Sequence, residues 1–176
     1  MGKRLFLAIA IGVTLLATAA AEDRLIVSNL GARIDGVISP DEYGLSIEMP
    51  RAALYLNRTE KVLSVAVQSK LKGWVAVGLG SQRMDEASIY IGYVKSGDGV
   101  FASQIGRGHG HSDAQVAQPI AFELKEDRNG TVLELSFPAE AFLSTGSNRL
   151  NLIVACGKRD GLSSYHSMRR GLEIRL

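Results

Sequence analysis

The chain has 176 residues, 46% of them hydrophobic and 22% charged, which suits one domain with a real core. Its 20 Lys and Arg against 18 Asp and Glu give a formal net charge of +2, and Lys3 and Arg4 alone supply that excess. The rest is balanced, which argues against nucleic acid or an anionic membrane surface as the main partner, and the single cysteine excludes an intrachain disulfide.

Lys3 and Arg4 precede an apolar run over residues 5–16 and then Ala17-Thr-Ala-Ala-Ala21. This is the pattern of a signal peptide over residues 1–21, with Ala19 and Ala21 fitting the small-residue cleavage rule. The run is shorter than the roughly 20 residues that span a bilayer. The reading therefore predicts an exported chain, periplasmic or secreted, that starts near Glu22 with no stable membrane anchor. Residues 22–176 are expected to form a single domain.

Beyond that point the periodic segments alternate apolar and polar residues at every second position and are bounded by Gly, Asn, Asp or Pro, so they read as strands. In chain order these are 52–57, 62–68, 73–79, 88–94, 99–105, 120–125, 132–137, 150–157 and 172–176. Asp127-Arg-Asn-Gly130 predicts a tight hairpin between two of them. Only 138–143 reads as a short helical turn. Many short strands without long helices between them predict an all-β sandwich of two antiparallel sheets. Cys156 ends the apolar run 150–156 and reads as a buried, inert thiol.

The strand around Gly73-Trp-Val-Ala-Val-Gly-Leu-Gly80 is followed by Met84, and Ser164-Tyr-His166 stands ahead of the last strand. A thioether and an imidazole are soft and intermediate donors that suit iron. Each also has a plainer reading, Met84 as a loop residue folded onto the sandwich edge and His166 as a satisfied polar residue. Gly106-Arg-Gly-His109-Gly-His111-Ser-Asp113 carries the other two histidines. It reads as a surface loop, or as a Zn or Cu site that lacks a third firm ligand. No nucleophile elbow, no His-Glu-x-x-His and no phosphate-binding glycine loop occurs in the sequence, so no catalytic set emerges.

Four segments in order carry a resemblance: Ile34-Asp-Gly-Val-Ile-Ser-Pro-Asp-Glu-Tyr43, Gly73-Trp-Val-Ala-Val-Gly78, Met84-Asp-Glu-Ala-Ser-Ile-Tyr-Ile-Gly-Tyr93 and Tyr165-His166. From about Arg33 to the end the chain resembles DOMON domains, which are immunoglobulin-like sandwiches that bind haem b or, in other branches, sugars. In the haem-binding branch, exemplified by the cytochrome domain of cellobiose dehydrogenase, the matching positions are Met84 and His166. The resemblance implies that these two are axial ligands of a haem b. It implies further that the chain transfers single electrons to a separate redox protein. The haem would be non-covalent, since there is no Cys-x-x-Cys-His.

Trp74, Tyr90, Tyr93 and Leu79 are candidates either to wall the porphyrin or to fill the core. Arg169 and Arg170 either reach the propionates through charge-assisted hydrogen bonds or cap the last strand as solvated charges. His109 is a rival axial ligand. The alternative function is a carbohydrate- or other ligand-binding sandwich without a redox cofactor, and a purely structural domain is a third reading, because fold alone does not specify function.

Overall fold

Period-two alternation builds eleven strands among the described residues, 24–176, of a computed structural model. The expected signal peptide, residues 1–21, lies outside the described residues. The strands are β1 Leu45–Glu48, β2 Ala52–Arg58, β3 Val62–Ser69, β4 Val75–Leu79, β5 Ser88–Lys95, β6 Asp98–Arg107, β7 Gly110–Asp113, β8 Ala121–Asp127, β9 Gly130–Pro138, β10 Arg149–Cys156 and β11 Met168–Arg175. A single 3-10 turn, Ala139–Ala141, stands where the helical turn is expected. The strands form two antiparallel sheets, one of five in the order β1-β2-β3-β9-β8 and one of six in the order β11-β10-β4-β5-β6-β7. The expected two-sheet β-sandwich is the architecture found.

The core lies between the sheets. Leu54, Leu56, Leu63, Val65, Leu133, Leu135 and Phe137 face inward from the five-stranded sheet; Val75, Val77, Leu79, Leu150, Leu152 and Val154 meet them from the six-stranded one. Burying each such side chain contributes about 1.5–3 kcal/mol, which is what pins the register of every strand. Cys156 is fully buried, and burial pushes its thiol pKa up, so it holds its proton as the sequence reading expects.

Three differences from the expected elements have local causes. β11 starts at Met168, earlier than 172, because Cys156↔Met168, Ala155↔Arg169 and Val154↔Arg170 continue its ladder with β10. Backbone pairing is indifferent to the two exposed arginines. The segment read as a glycine-rich loop contains β7, paired to β6 through Gly106↔His111 and Gln104↔Asp113. The hairpin before Gly130 turns on Arg128 and Asn129, since Asp127 pairs with Gly130 itself; the Asp127 carboxylate accepts from Asn129 N at 2.7 Å and from Asn129 Nδ2 at 3.1 Å.

The middle of the outer face of the five-stranded sheet is not open to solvent: Asn57, Ser64, Ala66, Glu134 and Ser136 are buried. Leu25 N donates to Arg175 O at 2.8 Å and Ser28 N to Arg58 O at 2.7 Å, so the chain enters beside β11 and leaves beside β2. It then runs across β2, β3, β9 and β8. Asn57 Nδ2 donates to Leu30 O at 2.8 Å, and the Tyr43 and Tyr55 rings lie 5.8 Å apart. Glu134, on the outward side of β9, is fully buried under this segment. Its carboxylate accepts from Asp35 N at 3.0 Å, Gly36 N at 2.5 Å and Tyr43 Oη at 2.5 Å. The Ile34–Tyr43 motif therefore supplies the three donors that satisfy one buried carboxylate. That set of bonds makes the burial tolerable.

Candidate functional site

The outer face of the six-stranded sheet is different in kind. Trp74, Ala76, Ala87, Ile89 and Ile91 are buried there as a second apolar cluster, with Met84, Tyr93, Ile153, Ala155 and Leu162 packed against it. The middle of the floor is made of small residues, Ala76, Gly78 and Ala155, flanked by Ile89, Ile91 and Ile153. A narrow apolar cleft of about 80 Å³ lies over this floor. Two wider spaces of about 510 Å³ each adjoin it, sharing Met84 and Arg169 as walls. Each wider space falls in the roughly 300–1,000 Å³ range of small-molecule and cofactor sites.

Two ends of the sheet supply the walls. β4 and β5 are antiparallel, so their connection, residues 80–87, stands at one end together with the β6–β7 hairpin. β10 runs antiparallel to β4, so the β10–β11 connection, residues 157–167, stands at the opposite end. Met84 comes from the first and His166 from the second, and both line the same narrow cleft.

Met84 is half-buried, and its backbone is fixed. Glu86 N donates to Gly106 O at 3.1 Å and Gly106 N to Ala87 O at 2.9 Å, which tucks the loop against β6. A Cβ on Gly106 would collide with the Met84 carbonyl oxygen, so only glycine lets the methionine loop lie this close. Trp74 is held by a matching device at the other end. Gly157 N donates to Trp74 O at 2.9 Å, and a Cβ on Gly157 would collide with the indole Nε1. The indole lies across that glycine and is 5% exposed, with Nε1 lacking a hydrogen-bond partner among the described residues.

His166 is partly exposed, with the ring of Tyr165 stacked on it at 4.5 Å and 19°, and Tyr165 itself is 86% exposed. Burial, and then the nearby Arg169 guanidinium, lower the His166 pKa. Both effects favour the neutral imidazole, the form that ligates a metal. Arg169 pairs with Ala155 and lines the cleft and both wider spaces.

Not every expected residue is brought to this place. Tyr90 does not wall the cleft: it pairs with Val77, faces the core, is fully buried and packs on Phe137, donating its hydroxyl to Ala117 O at 2.5 Å. Leu79 is likewise core. On β5 the period of two sends Ile89, Ile91 and Tyr93 outward and Tyr90 inward. Arg170 pairs with Val154, a core-facing residue, so it projects from the other side of β11 and is exposed. His109 is exposed in the β6–β7 turn and borders only the wider spaces. Of the two histidines in this hairpin, His111 is the one that reaches the narrow cleft. Asp113 is engaged by Gln104 at 2.8 Å. Among the described residues, no three or more His, Cys, Asp or Glu side chains gather as a metal cluster.

The floor residues Ala76, Gly78, Ile153 and Ala155 were not singled out from the sequence. Their signal is the uninterrupted apolar run 75–79 and the nearly uninterrupted one 150–156. Such runs mark strands covered on both faces rather than one.

No family model matches the chain, and no curated protein matches it. Among solved structures, it is similar to the cytochrome b domain of pyranose dehydrogenase from Coprinopsis cinerea. The TM-score is 0.53 at 11% identity, over 70% of this chain and 76% of that one. It is also similar to the cytochrome domain of Myriococcum thermophilum cellobiose dehydrogenase, with TM-score 0.48 and 11% identity over 74% and 80% of the two chains. At such identity the first likeness is one of fold, and it agrees with the sandwich that the DOMON resemblance implies.

Proposed function

We propose that the outer-face cleft holds a non-covalent haem b between Met84 and His166, and that the chain is an exported one-electron transfer module. The observation that carries this reading is that a thioether and an imidazole, far apart in sequence, line one apolar cleft from opposite ends of a sheet. The residues present fit such a group. The floor is apolar and built of small side chains, the donors are of the type that hold haem iron, and Arg169 offers a cation to carboxylates at the mouth. Bound there, haem supplies a one-electron iron couple whose potential Met/His ligation raises.

The chain's own residues do the rest. Gly106 fixes the approach of Met84; Tyr165 stacks on His166 and limits its rotation; Trp74 and Ile153 exclude water from the floor. Two protein ligands leave no position for a substrate, so the fitting role is electron transfer with a separate redox protein rather than catalysis. The carbohydrate-binding alternative would use Trp74 as an exposed platform, and this one tryptophan is 5% exposed.

The test is the visible absorption spectrum of the purified chain after reconstitution with hemin, oxidised and dithionite-reduced. A sharp low-spin reduced spectrum, altered in Met84→Ala and His166→Ala, is the expected result. A chain that takes up no stoichiometric hemin overturns the reading.

A further inference from the structure

His111 stands on the same side of the cleft as Met84. It pairs with Gly106 across the β6–β7 ladder, and the Met84 carbonyl lies against that same Gly106. Directly opposed residues have Cβ positions about 5 Å apart, so the Met84 loop and the His111 side chain rise from adjacent points of the sheet. Both line the narrow cleft, and His166 faces them from the loop at the other end.

The ring of His111 is also oriented. Gln104 Nε2 donates to Asp113 Oδ1 at 2.8 Å, which fixes the amide so that its Oε1 accepts from His111 Nδ1. Gln104, Gly106, His111 and Asp113 all project from the outer face, so this chain of bonds runs along the edge of the cleft. In the neutral ring this hydrogen bond places the proton on Nδ1 and leaves the Nε2 lone pair to ligate. A hydrogen bond on one ring nitrogen that presents the other as a donor is how protein scaffolds prepare metal-binding histidines. His109, two positions earlier in the exposed turn, has no such support among the described residues.

We propose that His111 is an alternative iron ligand to Met84. Besides His166, either the Met84 thioether or the His111 imidazole would then hold the iron, and two histidines of this chain could hold the haem. This inference rests on the haem reading above. Gln104 and Asp113 act on it as positioning residues, through the tautomer and direction of the ring.

The experiment compares hemin-reconstituted wild type, Met84→Ala, His111→Ala and the double variant by absorption, electron paramagnetic resonance and midpoint potential. Met84→Ala is expected to stay six-coordinate and low-spin with a lowered potential, because imidazole replaces a ligand that favours the reduced iron. The double variant is expected to become high-spin. Gln104→Leu in the Met84→Ala background should raise the high-spin fraction, a change that loss of packing alone would not produce. If Met84→Ala by itself gives the high-spin spectrum of the double variant, His111 is not a ligand and the proposal fails while the haem reading stands. If the wild type takes up no hemin, both fail.

Discussion

On the outer face of the five-stranded sheet, residues 28–44 lie across the strands and are fixed by a buried carboxylate that accepts from Asp35, Gly36 and Tyr43. On the outer face of the six-stranded sheet the floor is Ala76, Gly78, Ile89, Ile91, Ile153 and Ala155, and loops stand at its two ends without closing over it. The first face satisfies a polar group with donors from its own chain, so the cover over its central strands is specific. The second offers apolar surface with donor side chains at the rim, the surface that the proposed haem would cover. One sandwich thus has a polar anchor on one outer face and an apolar cleft on the other.

Removing the anchor is the severest way to break this contrast. Glu134→Ala leaves two backbone N–H groups and the Tyr43 hydroxyl without their acceptor. It should lower the unfolding free energy by about 3 kcal/mol in urea denaturation. Hemin uptake by the folded fraction should be unchanged, because the cleft lies on the other sheet; a parallel loss of both would show that the two faces are not independent.

Filling the open face should do the reverse. Ala155→Phe puts a ring over the floor, and hemin affinity is expected to fall at least about tenfold. Stability should stay within about 1 kcal/mol of the parent, since the added ring meets open space rather than packed core. Hemin titration beside urea denaturation of one preparation reads both quantities.

A finer comparison uses two adjacent arginines on opposite sides of β11. Arg169→Ala should weaken hemin binding about two- to fivefold, the size of one exposed charge pair, and Arg170→Ala should leave it unchanged. Equal losses would show that the arginines act through overall charge and not through the face they occupy.

The smallest expected effects are those of pH. Burial raises the Glu134 pKa against the lowering pull of its hydrogen bonds. The folded chain then keeps this proton to higher pH than the unfolded chain does. Its contribution to stability is complete below the unfolded value and fades as pH rises through the folded one. His166 has the opposite sense, with its pKa lowered by burial and by Arg169. As pH falls below the ordinary histidine value of about 6.5, the unfolded chain takes the proton first and stability declines. Denaturation midpoints across pH should lose the first slope in Glu134→Gln and soften the second in His166→Ala.

Much of this was legible from residue patterns. The alternation in 62–68, 88–94 and 132–137 marks strands that the structure contains, and the chemistry of Met84, His166, Trp74 and Arg169 is visible in the sequence without their meeting place. Other residues left two readings open, and the structure selects one: Tyr90 is core and Arg170 a solvated charge. Each sits one position away from outward-facing neighbours, and period-two parity alone separates cleft from core. His111 read as a loop residue because Gly106, Gly108 and Gly110 hide a four-residue edge strand whose pairing comes from β6. The Ile34–Tyr43 motif carried the family resemblance, yet its donors meet a carboxylate on β9 instead of the cleft.

Sequence by itself determined the class of fold and the kinds of donor atom available, because strand periodicity and side-chain chemistry are local properties. Tertiary structure decided which donors share a space and which sheet face stays open. Those outcomes depend on strand order and register, and only long-range pairing brings residues from β4, β6 and β10 to one surface.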